Sequence, residues 1–179
     1  MFYKRIASYL FKYPMPIWKL VYKQLVQTLE WEQGVNEKIF PAKPSPDNSF
    51  VALEHSGHKQ TNGSGRMFNM ILRDGTRSDN AFGTDWNGRV IDRYDYFLPQ
   101  NNKITAVTIY YDYYITGFRF HLSDGSNWDI GCQFSYGEKV TVDIADNEVI
   151  VGFKAKSHPD CPAVYVEWQF ITAQGLRFN

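Results

Sequence analysis

The sequence predicts an all-β domain assembled from equivalent units and preceded by an N-terminal α-helical arm. Two repeats predict the β-domain. Large apolar residues two places apart recur as Phe68/Met70, Phe118/Phe120 and Trp168/Phe170, and each pair is followed by a glycine, Gly75, Gly125 or Gly175, at the same distance. This is the pattern of a strand with one face to a core, ending in a tight turn. In a second register, Tyr96, Leu98, Ile104 and Val107 are matched at a constant offset by Val142, Ile144, Ile150 and Phe153. Self-similarity with a period of roughly 50 residues marks an architecture of repeated units.

The arm is predicted by a different period. Met1 to Phe11 is basic and aromatic, and Ile6, Tyr9, Leu10 and Phe11 fit one face of a short helix that Pro14 and Pro16 end. Pro16 suits the first position of a second helix, where its missing N–H costs nothing. Ile17, Val21, Leu25 and Leu29 then recur every four residues, Trp18, Leu20, Tyr22 and Val26 broaden the stripe, and Gly34 offers a stop. A helix is expected from about Pro16 to about Gln33. So wide an apolar face is expected to dock on a protein subunit of a larger complex, with Ile17, Trp18, Val21, Leu25, Leu29 and Trp31 in contact. Packing on the chain's own β-domain and lying on a membrane surface are the alternatives.

Phe40 to Asn48 carries Pro41, Pro44 and Pro46 and reads as an extended linker. The expected division is therefore an arm over 1–34, a linker over 35–48 and a β-domain over 49–179. Strands are expected at 50–53, around the first repeated pair, and near Tyr94–Leu98, Ile104–Tyr111, Ile115–Leu122, Lys139–Ile144, Glu148–Ala155 and Ala163–Thr172, with turn signals between them. The many Tyr, Phe and Trp residues fall mostly in these runs, which suits β-structure.

Composition narrows the function. Lys plus Arg equals Asp plus Glu, so no overall field points to nucleic acid. The balance is local: Lys4, Arg5, Lys12, Lys19 and Lys23 all precede the first acid, Glu30. That basic start resembles a mitochondrial targeting segment and suggests an inner-membrane-associated complex, with cytosolic or ciliary assemblies as alternatives. Lys12, Pro14, Pro16 and Lys19 interrupt the only apolar region, which argues against a membrane span there. Cys132 and Cys161 are too few for a disulfide framework, although one bridge between them is left open.

The candidate chemical motifs are sparse. His55 and His58 have metal-like spacing without a third ligand, and solvated loop histidines are the simpler reading. Asp124-Gly125-Ser126-Asn127-Trp128-Asp129 has oxygen ligands at calcium-like spacing but lacks a distal glutamate; Arg73-Asp74-Gly75-Thr76 repeats the turn, so a structural Asp-Gly turn accounts for both. Cys161 stands close to His158 and Asp160 in one irregular loop, which does not establish convergence. No catalytic constellation, phosphate-binding glycine loop, metal site or cofactor site is expected, and the protein is expected not to be an enzyme.

The run Ile104-Thr105-Ala106-Val107-Thr108-Ile109-Tyr110, Ile115-Thr116-Gly117-Phe118-Arg119-Phe120, Asp124-Gly125-Ser126, Gly131, then Glu148-Val149-Ile150-Val151-Gly152-Phe153-Lys154-Ala155, resembles the jacalin-related lectins. The resemblance covers about 49–172. It implies a β-prism of three four-stranded sheets, and a sugar site in a Gly-x-x-x-Asp loop before the last strand. The matching loop here is His158-Pro159-Asp160-Cys161-Pro162, with His158 at the glycine place and Pro162 at the acid place. The carboxylate that would accept sugar hydroxyls is thus missing, and Asp160 is two places out of register. The expectation is a non-enzymatic structural or interaction subunit with a degenerate sugar site. A carbohydrate-binding lectin is the alternative.

Overall fold

A computed structural model describes residues 18–27, 36–57, 67–78, 92–112, 115–131, 137–158 and 161–175. These form, in chain order, β1 (Trp18–Gln27), β2 (Asn36–Phe40), β3 (Phe50–Gly57), β4 (Met67–Leu72), β5 (Asp92–Phe97) and β6 (Ile104–Tyr111). They continue with β7 (Ile115–Leu122), β8 (Asn127–Gly131), β9 (Glu138–Asp143), β10 (Glu148–His158) and β11 (Cys161–Gly175). Three antiparallel sheets result, ordered β1-β11-β10-β2, β4-β3-β5 and β8-β7-β6-β9. Among the described residues there is no helix.

The repeat read from the sequence reappears as equivalent hydrogen bonding. Each sheet has an inner strand, β3, β6 or β10, that slips register at its start, between Phe50 and Ala52, Ile104 and Ala106, and Ile150 and Gly152. Bulges of this kind raise local twist, which curves each sheet toward its neighbours. The turns after β4 and β7 also match. Gly75 N–H donates to the Leu72 carbonyl and Gly125 N–H to that of Leu122, with both glycines at φ 85°. The carboxylates of Asp74 and Asp124 accept from the N–H two residues on, at 2.8 Å in each case. In the three-stranded sheet the fourth position is marked by the bridge between Ile71 and Arg77, which corresponds to the His121–Asn127 pairing of β7 with β8.

Alternation on these strands sends one large side chain from each sheet into a common centre. Met70, Phe120 and Phe170, the second members of the three repeated pairs, are fully buried. Phe50 stacks on Phe120 at 5.7 Å, Phe120 meets Phe170 edge-on at 6.1 Å, and Trp168 lies 5.0 Å from Phe118 and 4.5 Å from Phe153. Aromatic contacts therefore join all three sheets, and the offset and edge-on geometries are those that ring quadrupoles favour.

The helix expected over Pro16–Gln33 is corrected over its described part, because Trp18–Gln27 is strand β1, paired antiparallel with β11. The four-residue recurrence there coexists with a two-residue one, Trp18, Leu20, Tyr22. The open edge of β11 supplies backbone partners along most of the segment, which an isolated helix does not have. Asn36–Phe40 likewise pairs with β10. Segments assigned by sequence to arm and linker thus complete the sheet that holds the last two strands.

The junction of β2 with β10 depends on a glycine. A Cβ on Gly152 would lie 2.1 Å from the Phe40 carbonyl oxygen and 2.8 Å from Pro41 Cδ. Gly152→Ala is expected to cost about 3 kcal/mol, the upper end of overpacking penalties, because the obstacle is backbone. Equilibrium denaturation measures it, and a cost below about 1 kcal/mol would refute the close approach. The Asp-Gly turns make a second prediction. Hydrogen bonds from Ser126, led by its side chain, hold the Asp124 carboxyl below its usual range, and those from Thr76 do the same for Asp74. A lowered folded-state pKa contributes stability above the unfolded value, roughly 3.9, that disappears as pH falls through the folded one. Asp124→Asn should flatten the acid limb of unfolding free energy against pH and leave its slope near neutrality unchanged.

Candidate functional site

The loop that the family resemblance singles out joins β10 to β11. His158 closes β10 and pairs with Cys161 at the start of β11, and Pro162 is the next residue of that strand. The connection is a hairpin with only Pro159 and Asp160 between the paired residues, and both lie outside the described residues. Pro162 brings no backbone donor. The expected arm contacts are divided. Trp18, Val21 and Leu25 are on β1, whereas Ile17, Leu29 and Trp31 lie outside the described residues, as do His58, Cys132, Tyr113 and Tyr114.

β1 splits the predicted apolar stripe between two faces. Val21 pairs with Thr172 on the core side, while Trp18, Leu20 and Tyr22 pair with Gly175, Ala173 and Ile171 on the outer side. Trp18, Leu20 and Tyr22 are 36%, 37% and 52% exposed. Beside them a second apolar cluster, Val151, Ile171 and Ala173, is fully buried although it faces away from the prism core. On the core side, Lys23 forms a 2.5 Å ion pair with Glu148 and donates to the Asp143 carbonyl at 2.9 Å, tying β1 to the junction of β9 and β10. Farther along the outer face, Lys154 pairs with Glu37 at 3.2 Å and Lys156 with Glu167 at 2.8 Å. The Glu167 bond holds the Lys156 ammonium above the usual lysine range.

The outer face of the β8-β7-β6-β9 sheet carries a shallow groove of about 470 Å³. Strand register builds it from the polar members of three alternations. Thr108 pairs with Arg119 and Thr141, Ala106 with His121, and Tyr110 with Lys139, so all these side chains share one face. Thr108 Oγ1 is 2.8 Å from His121 Nε2 and 3.0 Å from Thr141 Oγ1. Thr105 Oγ1 donates to the His121 carbonyl at 3.2 Å. Arg119 grips Asp129 with two bonds, Nε to Oδ1 at 2.7 Å and Nη2 to Oδ2 at 3.0 Å, which hold its guanidinium above its ordinary pKa. No reading of the sequence assembles this groove, since its residues come from three strands whose register is not visible in the chain.

Other sequence candidates separate. The Asp124 carboxylate accepts from Ser126 and from Asn102, whereas Asp129 is paired with Arg119, so the two acids of the calcium-like run do not share a centre. Among the described residues no group of three or more His, Cys, Asp and Glu side chains could hold a metal ion.

No family model matches the sequence. No curated protein matches it either. Solved structures do. A prostate-specific glycoprotein lectin superposes with a TM-score of 0.58 at 9% identity, over 83% of this chain and 97% of that one. A mannose-binding jacalin-related lectin from Ananas comosus gives 0.58 at 9% identity, over 86% and 96%. A mannose-specific jacalin-related lectin from Morus nigra, in complex with mannose, gives 0.54 at 15% identity, over 90% and 96%. At such identities the likeness establishes architecture: the chain has the jacalin-like β-prism fold.

Proposed function

We propose that this protein is a non-enzymatic interaction module, a prism that docks on a protein partner in a larger assembly through β1. The observation that carries the reading is the row Trp18, Leu20 and Tyr22, three large apolar side chains exposed on one face of a strand at the edge of its sheet. Ile39 at the opposite edge of that sheet is 44% exposed. An edge strand with an apolar row offers a partner both backbone groups and side-chain burial, and aromatic anchors dominate such contacts. The basic N-terminal sequence is the reason for placing the assembly at the mitochondrial inner membrane.

Carbohydrate binding is the second reading, favoured by the fold shared with lectins, two of them described as binding or specific for mannose. Against the usual family site stand Pro162 at the place of the acid and the short β10–β11 connection. On the first reading the sugar site of the family is degenerate; on the second it lies elsewhere on the prism.

The native size of the protein in cell extract tests the first reading. The unaltered chain should migrate in a particle larger than a monomer. The double variant Leu20→Lys, Tyr22→Lys, whose changes are on exposed positions, should keep its unfolding midpoint and fall to monomer size. A wild-type chain already at monomer size, or a variant still in the particle, would sink the reading. Retention on immobilised mannose or galactose, displaced by free sugar, would support the second reading instead.

A further inference from the structure

We propose that the groove on the outer face of the β8-β7-β6-β9 sheet binds a monosaccharide carrying one acidic group. Its volume, about 470 Å³, suits one sugar ring with its hydration. The floor is made of groups that both donate and accept. Thr108 is nearly buried and holds His121 Nε2 and the Thr141 hydroxyl together. Whichever way the Thr108 proton points, the second ring nitrogen of His121 is left to meet a ligand. If Thr108 donates to Nε2, then Nδ1 carries the proton and donates; if Nε2 donates, Nδ1 accepts. The Thr105 hydroxyl, donating to the His121 carbonyl, keeps its own lone pairs. Such two-way partners suit the hydroxyls of a sugar ring.

The charge distribution selects an acid. Arg119 is locally neutralised by Asp129, and no ion pair reaches Lys139 among the described residues. Among the described residues Lys139 is therefore the groove's uncompensated cation. It stands opposite Tyr110, whose half-buried ring offers an apolar face for a sugar ring. Asp129 and Asp143 on the same face oppose a second negative charge, which favours one carboxylate or sulfate over a phosphate dianion. The site lies on a different sheet from β1 and does not rest on the assembly reading.

Calorimetric titration of the full chain with glucuronic acid, galacturonic acid and galactose 6-sulfate tests the proposal, with glucose and acetate as controls. At least one acidic sugar should bind saturably and about tenfold or more tighter than glucose, the worth of a charge-assisted contact. Lys139→Gln, a change at an exposed residue, should remove that preference, and Thr108→Val should weaken all sugars alike. The Leu20→Lys, Tyr22→Lys variant should titrate as the parent, which separates failure here from failure of the docking reading. Three results would overturn the proposal: no saturable binding by any of the three acids, undiminished binding by Lys139→Gln, or acetate binding as tightly as the acidic sugars.

Discussion

Three sheets that each have one apolar face must cover those faces with one another, and the aromatic centre is where they do so. Met70, Phe120 and Phe170 come from equivalent positions in the three sheets and are fully buried, with Trp168 packed between Phe118 and Phe153. A single antiparallel sheet of this size leaves its apolar face in water, so the units are stable only together. Phe50, Phe118, Phe120, Trp168 and Phe170 each meet a ring from another sheet, which makes the core a shared object.

Closure of that arrangement sets where the first two strands lie. The sheet containing β10 and β11 is completed at both edges by N-terminal strands, β1 beside β11 and β2 beside β10. The pairing closes a loop of most of the chain, an entropic cost that grows only slowly with length. It is offset by backbone pairing on both sides of the irregularity between Lys23 and Val26, and by Lys23, which reaches Glu148 and the Asp143 carbonyl. The consequence for function is that β1 presents Trp18, Leu20 and Tyr22 at a sheet edge, on a scaffold held from both ends of the sequence.

The same alternation that builds the core builds the outer surfaces, and these differ from sheet to sheet. Ile171 on one outer face corresponds to His121 on another, and the first belongs to a buried apolar cluster while the second belongs to a hydroxyl and imidazole chain. Equivalent backbones thus carry an apolar face on one sheet and a polar groove on another. The inward positions are held to large apolar residues by packing, whereas the outward positions are released from that constraint and specialise.

The sequence by itself determined the β-domain, because burial every second residue and Asp-Gly turns are local consequences of strand geometry; Phe118/Phe120, Trp168/Phe170 and the turns at Gly75 and Gly125 were all legible in it. The family resemblance put His158 to Pro162 in one loop, whereas His158 closes β10 and Cys161 and Pro162 open β11. The sequence misassigned Trp18–Gln27, since Ile17, Val21, Leu25 and Leu29 satisfy a helical period while Trp18, Leu20 and Tyr22 satisfy a strand period, and local pattern does not choose between them. β2 was hidden beside a proline-rich stretch, and β8 within the polar turn sequence after Asp124. Only tertiary structure decided these, because the deciding partner of β1 is an edge of β11 more than a hundred residues away. The groove was decided the same way: Thr108, His121, Thr141 and Lys139 come together only through the register of β6, β7 and β9, which non-local hydrogen bonding fixes.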